Sequence, residues 1–178
     1  DSGAGVAILV FRPGGMRLAN LFYRMRQCWL TIRASALSDE DQALLDDLLA
    51  PAQQELFARM QLSEQHHGLR VLNMLREQGE TDPDLMVAAL LHDVGKSRYR
   101  LRLWERVLIV LGRAFFPDWV RRWSQASLSW WNRPFVVAER HPDWGASLAL
   151  EAGCSPLAVD LIQYHQAESP PQSASPRE

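Results

Sequence analysis

The chain is poor in lysine and cysteine. Its 178 residues hold one lysine, Lys96, against eighteen arginines, and two cysteines, Cys28 and Cys154. Two cysteines alone cannot make a disulfide framework or a thiolate zinc site, so both are expected as free thiols in a reducing compartment. Long apolar runs are also missing. Runs such as Val6–Phe11, Val107–Leu111 and Leu85–Leu91 fall far below the roughly 18 residues that cross a bilayer. The first is too short for a signal-peptide core and has no basic segment before it. These absences lead to the expectation of a cytoplasmic protein. A formal net charge of -2 excludes a globally basic nucleic-acid binder. Alternating or β-branched runs bounded by turn residues are absent as well, and no repeat is evident, which argues against strands and repeat architectures.

What remains is helical punctuation. Residues 1–15 are glycine-rich, lack a helical period and read as a flexible lead-in. From Arg17 to Arg33, apolar residues recur at Leu18, Leu21, Phe22, Met25, Trp29 and Ile32, the stripe of an amphipathic helix. Ser38 precedes Asp39, Glu40 and Asp41, an N-cap followed by first-turn acids. That helix should run to about Leu49, and Pro51 should open another. Ser63 is expected to cap a helix over 64–77 that ends at Gly79. Asp82-Pro83 should start one that reaches His92, with Gly95 as the stop. Stretches 98–116 and 118–131 also read as helical. Pro134 reads as an interruption, and Pro142 and Pro156 as two further starts. The tail 169–178 is Pro/Ser-rich and reads as disordered. The expected fold is all-α: one domain of about eight helices over residues 16–168.

Charge is unevenly spread. Residues 39–93 carry twelve acids against three arginines, and residues 98–140 carry nine arginines against three acids. The five histidines are His66, His67, His92, His141 and His165. The pair His92-Asp93 closes an apolar helix (DLMVAALLHD) and is followed by Val94-Gly95-Lys96. A carboxylate at the end of a buried helix is costly unless compensated. A divalent cation compensates it, and a His/Asp set suits Zn, Fe, Mn, Co, Ni or Mg.

These phrases resemble the HD-domain superfamily of metal-dependent phosphohydrolases. His67-Gly68-Leu69-Arg70-Val71 is followed by His92-Asp93-Val94-Gly95-Lys96, which is close to the His-Asp-Ile-Gly-Lys form of many members. His141-Pro142-Asp143-Trp144-Gly145-Ala146 is similar to the His-Pro-x-x-Gly-Ala phrase of binuclear members. Leu161-Ile162-Gln163-Tyr164-His165 is similar to the segment bearing their next histidine. The likeness spans about residues 60–168.

The resemblance implies a divalent metal site, of one or two ions, and hydrolysis of a nucleotide or other small phosphoester. His67, His92 and Asp93 would hold the first metal, with Asp93 bridging, and His141 and His165 the second. Lys96 would contact substrate phosphate as a point charge. Arg70 would touch phosphate or pair with a carboxylate, the pairing being preferred. The family also has a late aspartate. Thirteen residues follow His165. Glu168, three positions on, is the better substitute, and Asp160 is a poorer match. A non-catalytic HD domain that binds a nucleotide or a protein partner around a structural metal is the alternative.

The segment between Lys96 and His141 departs most from the family and interleaves tryptophans with arginines. The preferred reading is a helical pair packed on the core with snorkelling arginines. A phosphate-gathering lid and an interfacial membrane contact are the others. Nucleic acid is not expected as a partner, because nothing orders these residues into a binding module.

Overall fold

Capping chemistry sets most of the helix starts in the computed structural model, which describes residues 36–167. The lead-in, the 17–33 stripe, Cys28, Glu168 and the tail fall outside the described residues. α1 (Asp39–Leu48) begins as expected: Ser38 Oγ accepts from the Asp41 N–H at 3.1 Å, and the Asp41 carboxylate accepts from the Ser38 N–H at 3.3 Å. α2 (Pro51–Ala58) starts at its proline. α3 (Leu62–Glu77) starts slightly earlier than expected. Its cap is Gln61 rather than Ser63, because Glu64 reaches back to the Gln61 N–H at 3.1 Å. Gly79, at φ +83°, follows its end. α4 (Pro83–Leu91) is capped by Asp82, whose Oδ1 accepts from the Asp84 and Leu85 N–H groups at 2.9 and 3.2 Å. Gly95 does not simply stop this helix. It lies within a 3-10 turn, Val94–Arg98.

The basic segment then forms α5 (Leu103–Phe115) and α6 (Pro117–Gln125), both shorter than the periodicity suggested. Helix does not continue to residue 131, because Asn132 organises a loop instead. Its amide donates to the Ser127 and Trp123 carbonyls at 3.0 and 3.3 Å, and its oxygen accepts from the Ser129 N–H at 2.8 Å.

Two prolines behave differently from expectation. Pro134 opens a helix instead of interrupting one, and Pro142 lies inside that same helix, α7 (Arg133–Glu151). An interior proline forfeits one backbone hydrogen bond, and a break would be usual. Here Phe135, Val136, Val137, Pro142, Ala146 and Ala149 are all buried, and that packing holds the helix continuous. α8 (Pro156–Tyr164) starts at Pro156, as expected, and Ser155 is its cap.

Among the described residues the architecture is all-α, with no strand. Among these residues no helix is long and apolar enough to cross a membrane. α7 forms the spine. It packs on the 3-10 turn, α8 and α6, while α4 is sandwiched between α3 and α8. Leu72, Leu90, Leu91, Val94, Ala149 and Ile162 are fully buried where these elements meet. The leucines, Val94 and Ile162 each contribute about 1.5–3 kcal/mol of burial.

Two glycines let the backbones close. A Cβ on Gly68 of α3 would stand 2.8 Å from the Leu90 carbonyl oxygen. One on Gly95 would stand 1.9 Å from the carbonyl oxygen of His141. Both approaches are forbidden to any larger residue. Tyr99 against Trp144, with ring centroids 5.5 Å apart, further ties the turn to α7.

Candidate metal centre

Four histidines and one aspartate are delivered by four different elements. His67 lies on α3, His92 and Asp93 follow α4, His141 lies on α7, and His165 caps the end of α8. Their rings form a continuous series. His67 and His92 have centroids 5.1 Å apart, His92 and His165 5.2 Å, and His165 and His141 5.2 Å. Two groups of donors can each hold a metal ion: His67, His92 and Asp93, and Asp93, His141 and His165. The ligand atoms within each group lie within 4.8 Å of one another, and Asp93 belongs to both. The five residues named from the motifs are therefore brought together.

The backbone sets the ring orientations. Nδ1 of His92 lies 2.9 Å from the Ala89 oxygen, Nδ1 of His141 3.1 Å from the Val137 oxygen, and Nδ1 of His165 2.7 Å from the Ile162 oxygen. A carbonyl only accepts, so each Nδ1 must carry the proton and donate. In a neutral ring this leaves Nε2 as a bare lone pair, and all three Nε2 atoms point at the cluster. Ligating histidines are commonly oriented in this way.

Burial favours the neutral form of three of the rings, His67, His141 and His165. Burial depresses the His165 pKa to about 4 despite its backbone hydrogen bond. Burial, reinforced by neighbouring His92, lowers His67 to about 4 as well, although His67 is solvent-exposed overall and screening there weakens the effect. His141 is also shifted down, mainly by burial and against the pull of Asp93. Asp93 is held well below the carboxylate range. Burial opposes this shift, and the Lys96, His92 and His141 side chains beside the carboxylate outweigh burial.

The spacing fits a cation. Donors about 2.1 Å from a tetrahedral metal stand roughly 3.4 Å from one another. Nε2 of His141 is 3.4 Å from Asp93 Oδ1 and 3.3 Å from His165 Nε2, and His92 Nε2 is 3.7 Å from Asp93 Oδ2. Neutral imidazole lone pairs and a carboxylate cannot hydrogen-bond to one another. A group of such acceptors at these distances suits a positive ion between them.

The remaining motif residues are placed as follows. Lys96 Nζ sits 2.6 Å from Asp93 Oδ1 and is partly exposed. Arg70 is exposed one turn beyond His67 and makes no ion pair among the described residues. Asp160 is exposed and belongs to neither donor group. Glu168 lies outside the described residues. His66 is half-buried and also outside both groups.

Sequence reasoning missed three residues. Glu64 is buried on α3, 2.8 Å from Arg106. Burial raises its pKa, opposed by Arg106 and Lys96. It therefore adds a carboxylate within electrostatic reach of Lys96 and Asp93. The spacing of Gln61 and Glu64 signals a helix cap, but nothing local signals that Arg106, far along the chain, covers it. The third is Gln166, whose amide lies 3.3 Å from His141 Nε2. No family model, curated protein or solved structure matches this chain.

Proposed function

We propose that the chain is a metal-dependent phosphohydrolase of the HD type, acting on a nucleotide or another small phosphoester. The observation that carries this reading is the pair of donor groups sharing Asp93, with a lone lysine ammonium against the same carboxylate. His67, His92 and Asp93 would hold one divalent ion, and Asp93, His141 and His165 a second. Mn, Fe, Co, Ni, Zn and Mg are all compatible with nitrogen and carboxylate donors. Bound there, such ions supply Lewis acidity toward phosphoryl oxygens and lower the pKa of water.

The protein's own groups have separable tasks. The carbonyls of Ala89, Val137 and Ile162 hold three imidazoles in one tautomer, so no proton need leave Nε2. Asp93 supplies the fixed negative charge. Lys96 keeps Asp93 ionised and offers the only ammonium of any lysine side chain for a phosphate oxygen. Arg70, exposed beside His67, adds positive charge at the mouth of the cluster. The open edges of His67 and Arg70 suit a small substrate arriving from solvent.

The test is metal analysis of the purified chain together with hydrolysis of a generic phosphodiester and a nucleotide panel across divalent metals. Metal-stimulated turnover that disappears in Asp93→Ala is the expected result. Absence of hydrolysis with every metal would sink the enzymatic reading. A second reading, a non-catalytic HD domain binding a nucleotide around a structural metal, is favoured by one feature: Lys96 already engages Asp93 at 2.6 Å. Thermal stabilisation by a nucleotide without turnover would select it.

A further inference from the structure

α5 is amphipathic in the reverse of the usual sense. Its fully buried residues are Glu105 and Gly112. The Glu105 carboxylate is held by Arg133 and accepts from the Arg102 N–H at 2.6 Å. Trp104, Leu108, Leu111 and Phe115 follow i, i+4, i+7, i+11 spacing and share one face. That face looks outward: Trp104 is 56% exposed, Leu108 38% and Phe115 62%. Further exposed aromatics follow: Phe116 and Trp119 at the start of α6, and Trp130, which is 87% exposed. Large apolar side chains left exposed in such number on one short segment of a folded domain point to a contact surface. The tryptophans are not packed down as the sequence suggested. Of the five tryptophans between Lys96 and His141, Trp123 alone is half-buried, against Phe135.

Charge decides what the surface fits. Arg98, Arg100, Arg102, Arg113, Arg122 and Arg140 are exposed in this segment and form no ion pair among the described residues. Its few acids are largely committed elsewhere: Glu105 to Arg133 and Asp118 to Arg121. We infer that α5, α6 and the Trp130 loop form an interfacial face that seats on an anionic lipid surface. Trp and Phe would enter the headgroup boundary while the arginines pair with lipid phosphates.

Other occupants match less well. A second copy placed face to face would bring arginines against arginines. The acidic stretch 39–93 exposes only Leu62 and Met74 among its large apolar residues, so it offers no matching apolar patch. Residues 1–35 carry five arginines and one acid, the same sign as the face.

The experiment is flotation of the full chain with vesicles of phosphatidylcholine and phosphatidylglycerol in equal parts, beside phosphatidylcholine alone, with tryptophan emission followed. Expected results are binding to the anionic vesicles, a blue-shifted emission and loss of binding at high salt. The paired substitution Trp104→Ser and Phe115→Ser, at exposed positions, should weaken binding about tenfold or more with helicity unchanged. Arg122→Glu, one turn from the exposed Trp119 on α6, should weaken the preference for anionic lipid. Three results would each overturn the inference: no flotation with anionic vesicles, equal binding to both compositions, or a wild-type dimer that does not float and is dissolved by the tryptophan and phenylalanine substitutions. The wild-type comparison of the two compositions decides the matter even if a variant misfolds.

Discussion

His141 Nε2 and His165 Nε2 face each other at 3.3 Å, although each ring already uses its Nδ1 on a backbone carbonyl. Two bare lone pairs at this distance repel. Burial lowers the pKa of both rings, which removes the alternative of a shared proton at neutral pH. The contact is therefore a latent cation site, relieved in part by the Gln166 amide at 3.3 Å from His141.

It follows that divalent metal should raise the melting temperature and a chelator should reverse the gain. At a hundredfold excess over Kd, one ion adds about 2.7 kcal/mol, or several degrees for a domain of this size. His141→Ala and His165→Ala should each abolish most of this shift and lower the bound metal. Differential scanning fluorimetry with elemental analysis reads both. An unchanged shift in both variants would show that the metal binds elsewhere.

The metal-free chain should lose stability on mild acidification. Histidines enter the folded state with pKa values near 4 at His67 and His165, against about 6.5 when unfolded. The unfolded chain thus binds more protons between these limits, and stability rises with pH there. The contribution is complete above about pH 6.5 and is lost as pH falls toward 4. Denaturant titrations of the chelator-treated chain across that window should show this slope, and it should flatten in His165→Gln.

Gly95 should tolerate no side chain. A Cβ there would lie 1.9 Å from the His141 carbonyl oxygen and 2.7 Å from the Gly145 nitrogen. Gly95→Ala should cost about 3 kcal/mol or more by forcing the 3-10 turn away from α7. It should also weaken metal binding, because Asp93 and His141 sit on the two separated elements. Gly79 is the control. It is at φ +83° with nothing within 4 Å of its Cβ position, so Gly79→Ala should cost about 1 kcal/mol and leave metal affinity intact. Urea unfolding and metal titration distinguish the two.

The Glu64–Arg106 pair should behave as a buried ion pair. Arg106 also donates to Ser63 and to the Gln61 side chain at 3.2 and 3.0 Å. Arg106→Met should destabilise by about 3 kcal/mol, since it leaves the Glu64 carboxylate buried without its cation. Glu64→Gln should cost less, because burial already pushes that carboxyl toward its neutral form. The double variant should recover part of the Arg106→Met loss, which a double-mutant cycle measures directly.

Local chemistry made much of the molecule legible. Ser38, Asp82 and Ser155 cap helices where their neighbours require it, because a cap is an interaction within three residues. His67, His92, Asp93, His141 and His165 were identifiable because each lies in a short phrase with its own spacing. Local signals failed where contacts from afar outweighed them. Pro142 looked like a helix start, yet burial along α7 carries the helix through it. Ser63 looked like a cap, yet Glu64 closes the turn on Gln61. The Trp/Arg segment read as a helical pair packed on the core, yet Trp104, Trp119 and Trp130 face solvent and the inward side of α5 carries Glu105.

The sequence by itself determined that the protein is helical and which four histidines and one aspartate come together as a group that could hold a metal ion. These properties reside in spacing and side-chain type. Only the tertiary structure decided that Asp93 is shared by both donor groups, that Glu64 and Gln166 join the neighbourhood, and that an aromatic face is left to solvent. The physical reason is distance: carbonyls, glycine contacts and ion pairs spanning tens of residues set those positions, and no local pattern records them.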